Sequence, residues 1–83
     1  MNHRASVREL WHSYRADVLP ADAGSIQISE CRRAFYAGAQ ALMVAVMVGL
    51  DPDREPTSDD AEYMGNLQRE LETFATDTEA GRI

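Results

Sequence analysis

Two adjacent arginines, Arg32 and Arg33, stand in the run ECRRAFYAGAQALMVAVMVGL, Glu30 to Leu50, where it turns from polar to apolar. A guanidinium offers a planar fork of donors that fits phosphate or carboxylate, and its flat face stacks on aromatic rings. Gln27, Glu30, Arg33 and Tyr36 follow one another at intervals of three, so on a helix they wind slowly around its first half. Trp11 and Tyr14, with Arg8 nearby, belong to a preceding amphipathic segment that should lie antiparallel beside them. An arginine fork next to a flat aromatic face can hold a phosphate and a base together. Arg32, Arg33, Tyr36, Trp11, Tyr14, Arg8, Gln27 and Glu30 are therefore the candidate contacts of an anionic ligand. The same residue types also tie helices together: Arg33 and Glu30 read equally as a salt bridge within or between subunits, and Tyr36 as a packed ring with its hydroxyl satisfied.

Catalytic and metal chemistry find little to work with, and the expectation is that the chain is not an enzyme and holds no metal or cofactor. His3 and His12 are too far apart for an i, i+4 ligand pair, and neither has an evident carboxylate or nucleophile partner. Cys31 is the single cysteine, which forbids an internal disulfide and a cysteine-based zinc cluster. Asp51, Asp53 and Glu55 resemble a calcium loop only in spacing, because Pro52 and Pro56 interrupt it and no closing glutamate follows at the required position.

The elements that would position these side chains are three helices, over about 6–19, 25–50 and 57–75, in an all-α fold. Alternating strand patterns and hairpin turns are missing. Ser6 and Glu9 form a capping box, and Val7, Leu10, Trp11, Tyr14 and Val18 fall on one stripe until Pro20 stops the helix. Ser25 is an N-cap for the second helix, which runs for about 39 Å at 1.5 Å per residue. Thr57 or Ser58 caps the third, whose first turn carries Asp59, Asp60 and Glu62, where the helix dipole favours acids. Met64, Leu67, Leu71 and Phe74 make its stripe, and the tail from Thr76 has nothing to pack on. Residues 1–83 read as one helical domain with loose ends at about 1–5 and 76–83.

The long apolar central helix has more faces than two amphipathic neighbours can cover. One face is made of small residues: Ala34 and Gly38 lead in, and Ala37, Ala41, Ala45 and Gly49 follow at i+4 intervals. A ridge without bulk lets another backbone come close. Either a helix of the same chain or a second copy fills it, and a homo-oligomer is the expectation. A membrane-spanning helix is the outside alternative, since Ala34 to Leu50 is barely long enough and Gln40 interrupts it.

Net charge is −6, and it is unevenly spread. Residues 1–33 hold five Arg against four acids, and residues 51–83 hold three Arg against ten acids. Duplex nucleic acid needs a basic face, so direct binding to it is disfavoured. The first residues, MNHRASVREL, lack the apolar core of a secretory signal, and with the lone cysteine this points to the cytoplasm.

The stretch WHSYRADVLPADAGSIQISECRRAFYAGAQAL, with Trp11, Tyr14, Pro20, Gln27, Glu30 and the motif RRAFYAGA, resembles a group of small helical proteins encoded in phages and prophages of proteobacteria. The resemblance covers half to two thirds of the chain. It implies a cytoplasmic protein of an infected bacterial host, acting on host defence. One class of that kind is the nucleotide sponge, an oligomer that traps cyclic nucleotide signals; no binding residue carries over from it. Two functions follow as expectations: a non-enzymatic sponge for an anionic cyclic nucleotide, or an interaction protein whose acidic third helix (Asp59, Asp60, Glu62, Glu70, Glu72) docks on and inhibits a basic host protein. A small membrane protein of the phage pore-former type is the third.

Overall fold

The computed structural model describes residues 4–50 and 53–81. Three α-helices, α1 (Val7–Val18), α2 (Ser25–Gly49) and α3 (Ser58–Glu79), account for most of them, and no strand occurs among the described residues. The all-α expectation holds. His3, Asp51 and Pro52, on which parts of the sequence argument fell, lie outside the described residues. Contacts gather in two compact units, Met1–Val44 and Ala45–Ile83.

In the first unit, α1 begins with the capping box that its sequence announces. Ser6 is extended, its hydroxyl accepts from the Glu9 N–H at 3.1 Å, and the Glu9 carboxylate accepts from the Ser6 N–H at 3.3 Å. The helix ends at Leu19, also extended, because Pro20 pushes the residue before it out of the helical region. A turn follows, with the Ala23 N–H bonded to the Pro20 carbonyl at 3.1 Å. The next helix starts at Ser25 as expected, but Ser25 is not its cap: the Gly24 carbonyl accepts from the Ile28 N–H at 3.0 Å, so Gly24 takes the cap position and Ser25 is already helical. Trp11 is the one buried side chain among the described residues, at 2% exposure. Tyr14 stacks on it at 5.9 Å between centroids, and Phe35 from α2 meets Trp11 at 5.6 Å and Tyr14 at 5.4 Å. This aromatic triplet pins α1 to the first half of α2. Burying the Trp11 side chain is worth on the order of 5 kcal/mol in area removed from water.

In the second unit, α3 opens with a second capping box, Thr57 with Asp60, at 3.2 and 3.0 Å. Tyr63 lies against the end of α2, where its hydroxyl donates to the Ala45 carbonyl at 3.3 Å. Gly49 allows that approach, since a Cβ there would sit 2.8 Å from the Tyr63 ring. Val46, Leu50, Tyr63 and Leu67 are half-buried, and no described residue of this unit is fully buried.

The C-terminal end departs from expectation. Helix α3 runs to Glu79 rather than stopping near 75, so residues 76–79 are helical, and the last part of the expected loose end, 82–83, lies outside the described residues. Local bonds suffice to hold them: the Thr78 hydroxyl donates to the Phe74 carbonyl at 2.9 Å, and the Ala80 N–H donates to the Thr76 carbonyl at 3.0 Å. Gly81, at φ 74°, then stops the helix in the left-handed region that a glycine enters without strain. Among the described residues no helix is long and apolar enough to cross a membrane, and the pore-former alternative loses its spanning segment.

Candidate functional site

Arg8, Trp11, His12 and Arg15 stand at i, i+3, i+4 and i+7, so α1 presents them along one side. Ile28 and Arg32, one turn apart on α2, complete the lining of a surface depression of ≈ 460 Å³. A second depression of ≈ 450 Å³ is lined by Ile28, Ser29, Arg32, Arg33 and Tyr36. Arg32 and Ile28 belong to both, so the two are neighbours on the first unit. Together they gather four arginines and a histidine without one carboxylate in either lining.

Charge pairing singles out part of this set. Arg33 is tied to Glu30 by an i, i+3 contact at 3.5 Å, with both side chains largely in water, so the pair is weak. No carboxylate of the described residues pairs with Arg8, Arg15 or Arg32. Instead the Arg32 guanidinium carbon lies 5.2 Å from the centre of the Tyr36 ring, a cation–π contact that holds the fork at the rim. Phe35 meets Tyr36 edge-on at 6.3 Å and so anchors the rim to the aromatic core. Concave surface of a single sign concentrates an opposite charge, and unpaired guanidinium forks are the groups that grip a phosphate through two parallel bonds.

The candidates named from sequence therefore divide. Arg8, Arg32, Arg33 and Tyr36 come together at the two depressions. Trp11 does not serve as an open stacking face: although it contributes to the lining of one depression, its side chain is the buried core, packed against Tyr14 and Phe35. Tyr14 is spent on the same packing and lines neither depression. Gln27 is exposed and lines neither, and Glu30 acts as the partner of Arg33. His12 and Arg15 were missed, although Arg8, His12 and Arg15 at i, i+4, i+7 were visible as a basic row beside the apolar stripe.

The small-residue ridge of α2 is exposed throughout, at Ala34, Ala37, Gly38, Ala41, Ala45 and Gly49. Nothing lies within 4 Å of a Cβ placed at Gly38, while Gly49 and the Ala45 carbonyl are already engaged by Tyr63 of the same chain. At its C-terminal end the ridge thus serves α3, which explains a glycine there without a second copy. On α3, Asp59, Glu62, Glu70 and Glu72 are exposed, but Asp60 is half-buried and committed to the capping box. No three His, Cys, Asp or Glu side chains among the described residues gather in a way that would hold a metal ion. Compared with protein-family models, curated proteins and solved structures, the chain matches none, so the case for this site is made by its own geometry.

Proposed function

We propose that this chain is a non-enzymatic binding protein that sequesters a small phosphate-bearing ligand, a cyclic nucleotide signal, on the arginine-lined face of α1 and α2. The observation that carries it is the meeting of Arg8, His12, Arg15 and Arg32 around one depression without a carboxylate to neutralise them. Three guanidinium groups border one concavity with no opposing carboxylate, so an anion placed there meets only attraction, and the paired Tyr36–Arg32 rim adds an aromatic and a planar cation against which a base can lie. Each depression falls in the size range of small-ligand sites, about 300–1,000 Å³. Nothing in the arrangement asks for bond chemistry: the arginines bind and orient, and trapping the signal is the activity. The phage-type resemblance supports a counter-defence setting in the cytoplasm of an infected bacterium.

The test is isothermal titration calorimetry of the purified chain with a panel of cyclic di- and trinucleotides and cyclic ADP-ribose isomers. One of them is expected to bind with saturable stoichiometry and to be displaced by no uncharged nucleoside. Failure of every member of the panel to bind overturns the reading. The second reading, docking of the acidic α3 on a basic host protein, draws on the exposed Asp59, Glu62, Glu70 and Glu72. It predicts capture of a host protein that is lost when those four are changed to Asn or Gln.

A further inference from the structure

A third depression, of ≈ 440 Å³, lies where the turn joins α1 to α2, wholly within the first unit. It shares His12, Arg15 and Ile28 with the arginine-lined depression, so the two adjoin. Its character is different. Ala16, Leu19, Pro20 and Ile28, with two alanines of the turn, give it an apolar wall, and His12 and Arg15 are the polar side chains of its lining. The wall is fixed by local bonds: the Ala23 N–H donates to the Pro20 carbonyl at 3.1 Å and the Ile28 N–H to the Gly24 carbonyl at 3.0 Å. Leu19, Ala23 and Ile28 are half-buried, so the recess is built by the fold before any ligand enters it.

We infer that this recess is the base subsite of the ligand face: it takes the nucleobase of a phosphate ester whose phosphate sits among Arg8, Arg15 and Arg32. The inference rests on the anion reading and gives the ligand a direction along the face. Composition is the first argument. A nucleobase is flat and weakly polar, and it stacks on imidazole and guanidinium planes as well as on apolar surface. His12 and Arg15 line both depressions, which places those two planes where the phosphate and the base of one ligand meet. An alkyl chain would use the wall but not the planes, and a second phosphate would use the cations but not the wall. Competition is the second argument. At the other side of the arginines, the Tyr36 ring is already faced by the Arg32 guanidinium at 5.2 Å and met edge-on by Phe35 at 6.3 Å. A base at that rim has to displace contacts already made, whereas the recess offers ≈ 440 Å³ of open space. Charge is the third. The lining of the recess holds no carboxylate, so the electron-rich edge of a base meets no repulsion there.

A heteronuclear NMR titration of the full chain tests it, with ribose 5-phosphate, adenosine 5′-monophosphate and hexyl phosphate as probes. The first two share a sugar and a phosphate and differ by the base alone. Both are expected to shift the signals of Arg8, Arg15 and Arg32. Only adenosine 5′-monophosphate is expected to shift the methyl signals of Ala16, Ala21 and Ala23, and it is expected to bind about tenfold tighter, as stacking of one base allows. Ala16→Leu fills the recess from α1 and Ala21→Leu fills it from the turn, so a fault in folding of one leaves the other to read. Each is expected to erase the base-dependent shifts at the remaining alanines and to cut the tenfold ratio to about threefold or less. Equal affinity of the two sugar phosphates with silent alanines overturns the inference and leaves the arginines as a phosphate site. Base-dependent shifts confined to Ser29 and Tyr36 overturn it by placing the base at the rim, and hexyl phosphate matching adenosine 5′-monophosphate in affinity and alanine shifts overturns it by making the recess an alkyl subsite. If no probe moves any of these signals, the recess and the arginine site fall together.

Discussion

At the scale of single residues, the structure ranks side chains that the sequence offers as equals. Arg32 and Arg33 are neighbours in the chain, yet Arg32 lines both depressions and has no carboxylate partner, whereas Arg33 lines one and is paired with Glu30. Losing a charge-assisted bond to a bound phosphate costs about 1.5–3 kcal/mol, or roughly 10–100-fold in affinity. Calorimetry is therefore expected to show that loss for Arg32→Ala, a loss of similar size for Arg15→Ala, and only about threefold for Arg33→Ala. Equal losses for Arg32→Ala and Arg33→Ala would contradict the assignment of the fork. Trp11 calls for a different measurement. With its ring packed against Tyr14 and Phe35, Trp11→Ala removes the buried member of the aromatic triplet in the first unit. Chemical denaturation is expected to register a loss of about 3–5 kcal/mol, enough to unfold a chain this small.

At the scale of elements, the starts of α1 and α3 were the most legible part of the sequence. Ser6 with Glu9 reads as a capping box and Thr57 as one of two possible caps; that Asp60 completes a second box with Thr57 was not read, although both boxes join residues three apart and rest on local chemistry. Thr57→Ala is accordingly expected to cost about 1 kcal/mol in thermal denaturation and to leave α1 untouched. The end of α3 was not legible, because its stabilising bonds are backbone and hydroxyl contacts that carry no apolar pattern. Nor was the work of the small-residue ridge, since spacing shows that a backbone can approach but not which one does. Two glycines on α2 separate the cases. A methyl group at Gly38 meets nothing within 4 Å, so Gly38→Ala gains helix propensity and is expected to stabilise by about 0.5–1 kcal/mol. A methyl group at Gly49 runs into Tyr63 and disturbs its bond to Ala45, so Gly49→Ala is expected to forfeit that gain. If Gly38→Ala instead destabilised the protein or broke up its assembly, the ridge at that point would be covered by another backbone, as the sequence pattern suggested. His12 and Arg15 were not named beside Arg8 for a related reason: they look like solvated surface until Arg32 from α2 is seen to join them around one depression.

At the scale of the whole molecule, the uneven charge makes salt a probe of ligand capture. The chain carries −6, with ten of its fourteen acids in residues 51–83, whereas no carboxylate lines either depression of the first unit. Ions screen charge over about 10 Å at 0.1 M and over less as salt rises. Arg8, Arg15 and Arg32 attract a phosphate through charge that those ions screen, so nucleotide affinity is expected to fall about tenfold or more as sodium chloride rises from about 0.05 M to about 0.5 M. Calorimetry across that salt series reads the response. A ligand whose affinity ignores salt would be held by its apolar surface, and the arginines would then have to be explained as solubilising charge.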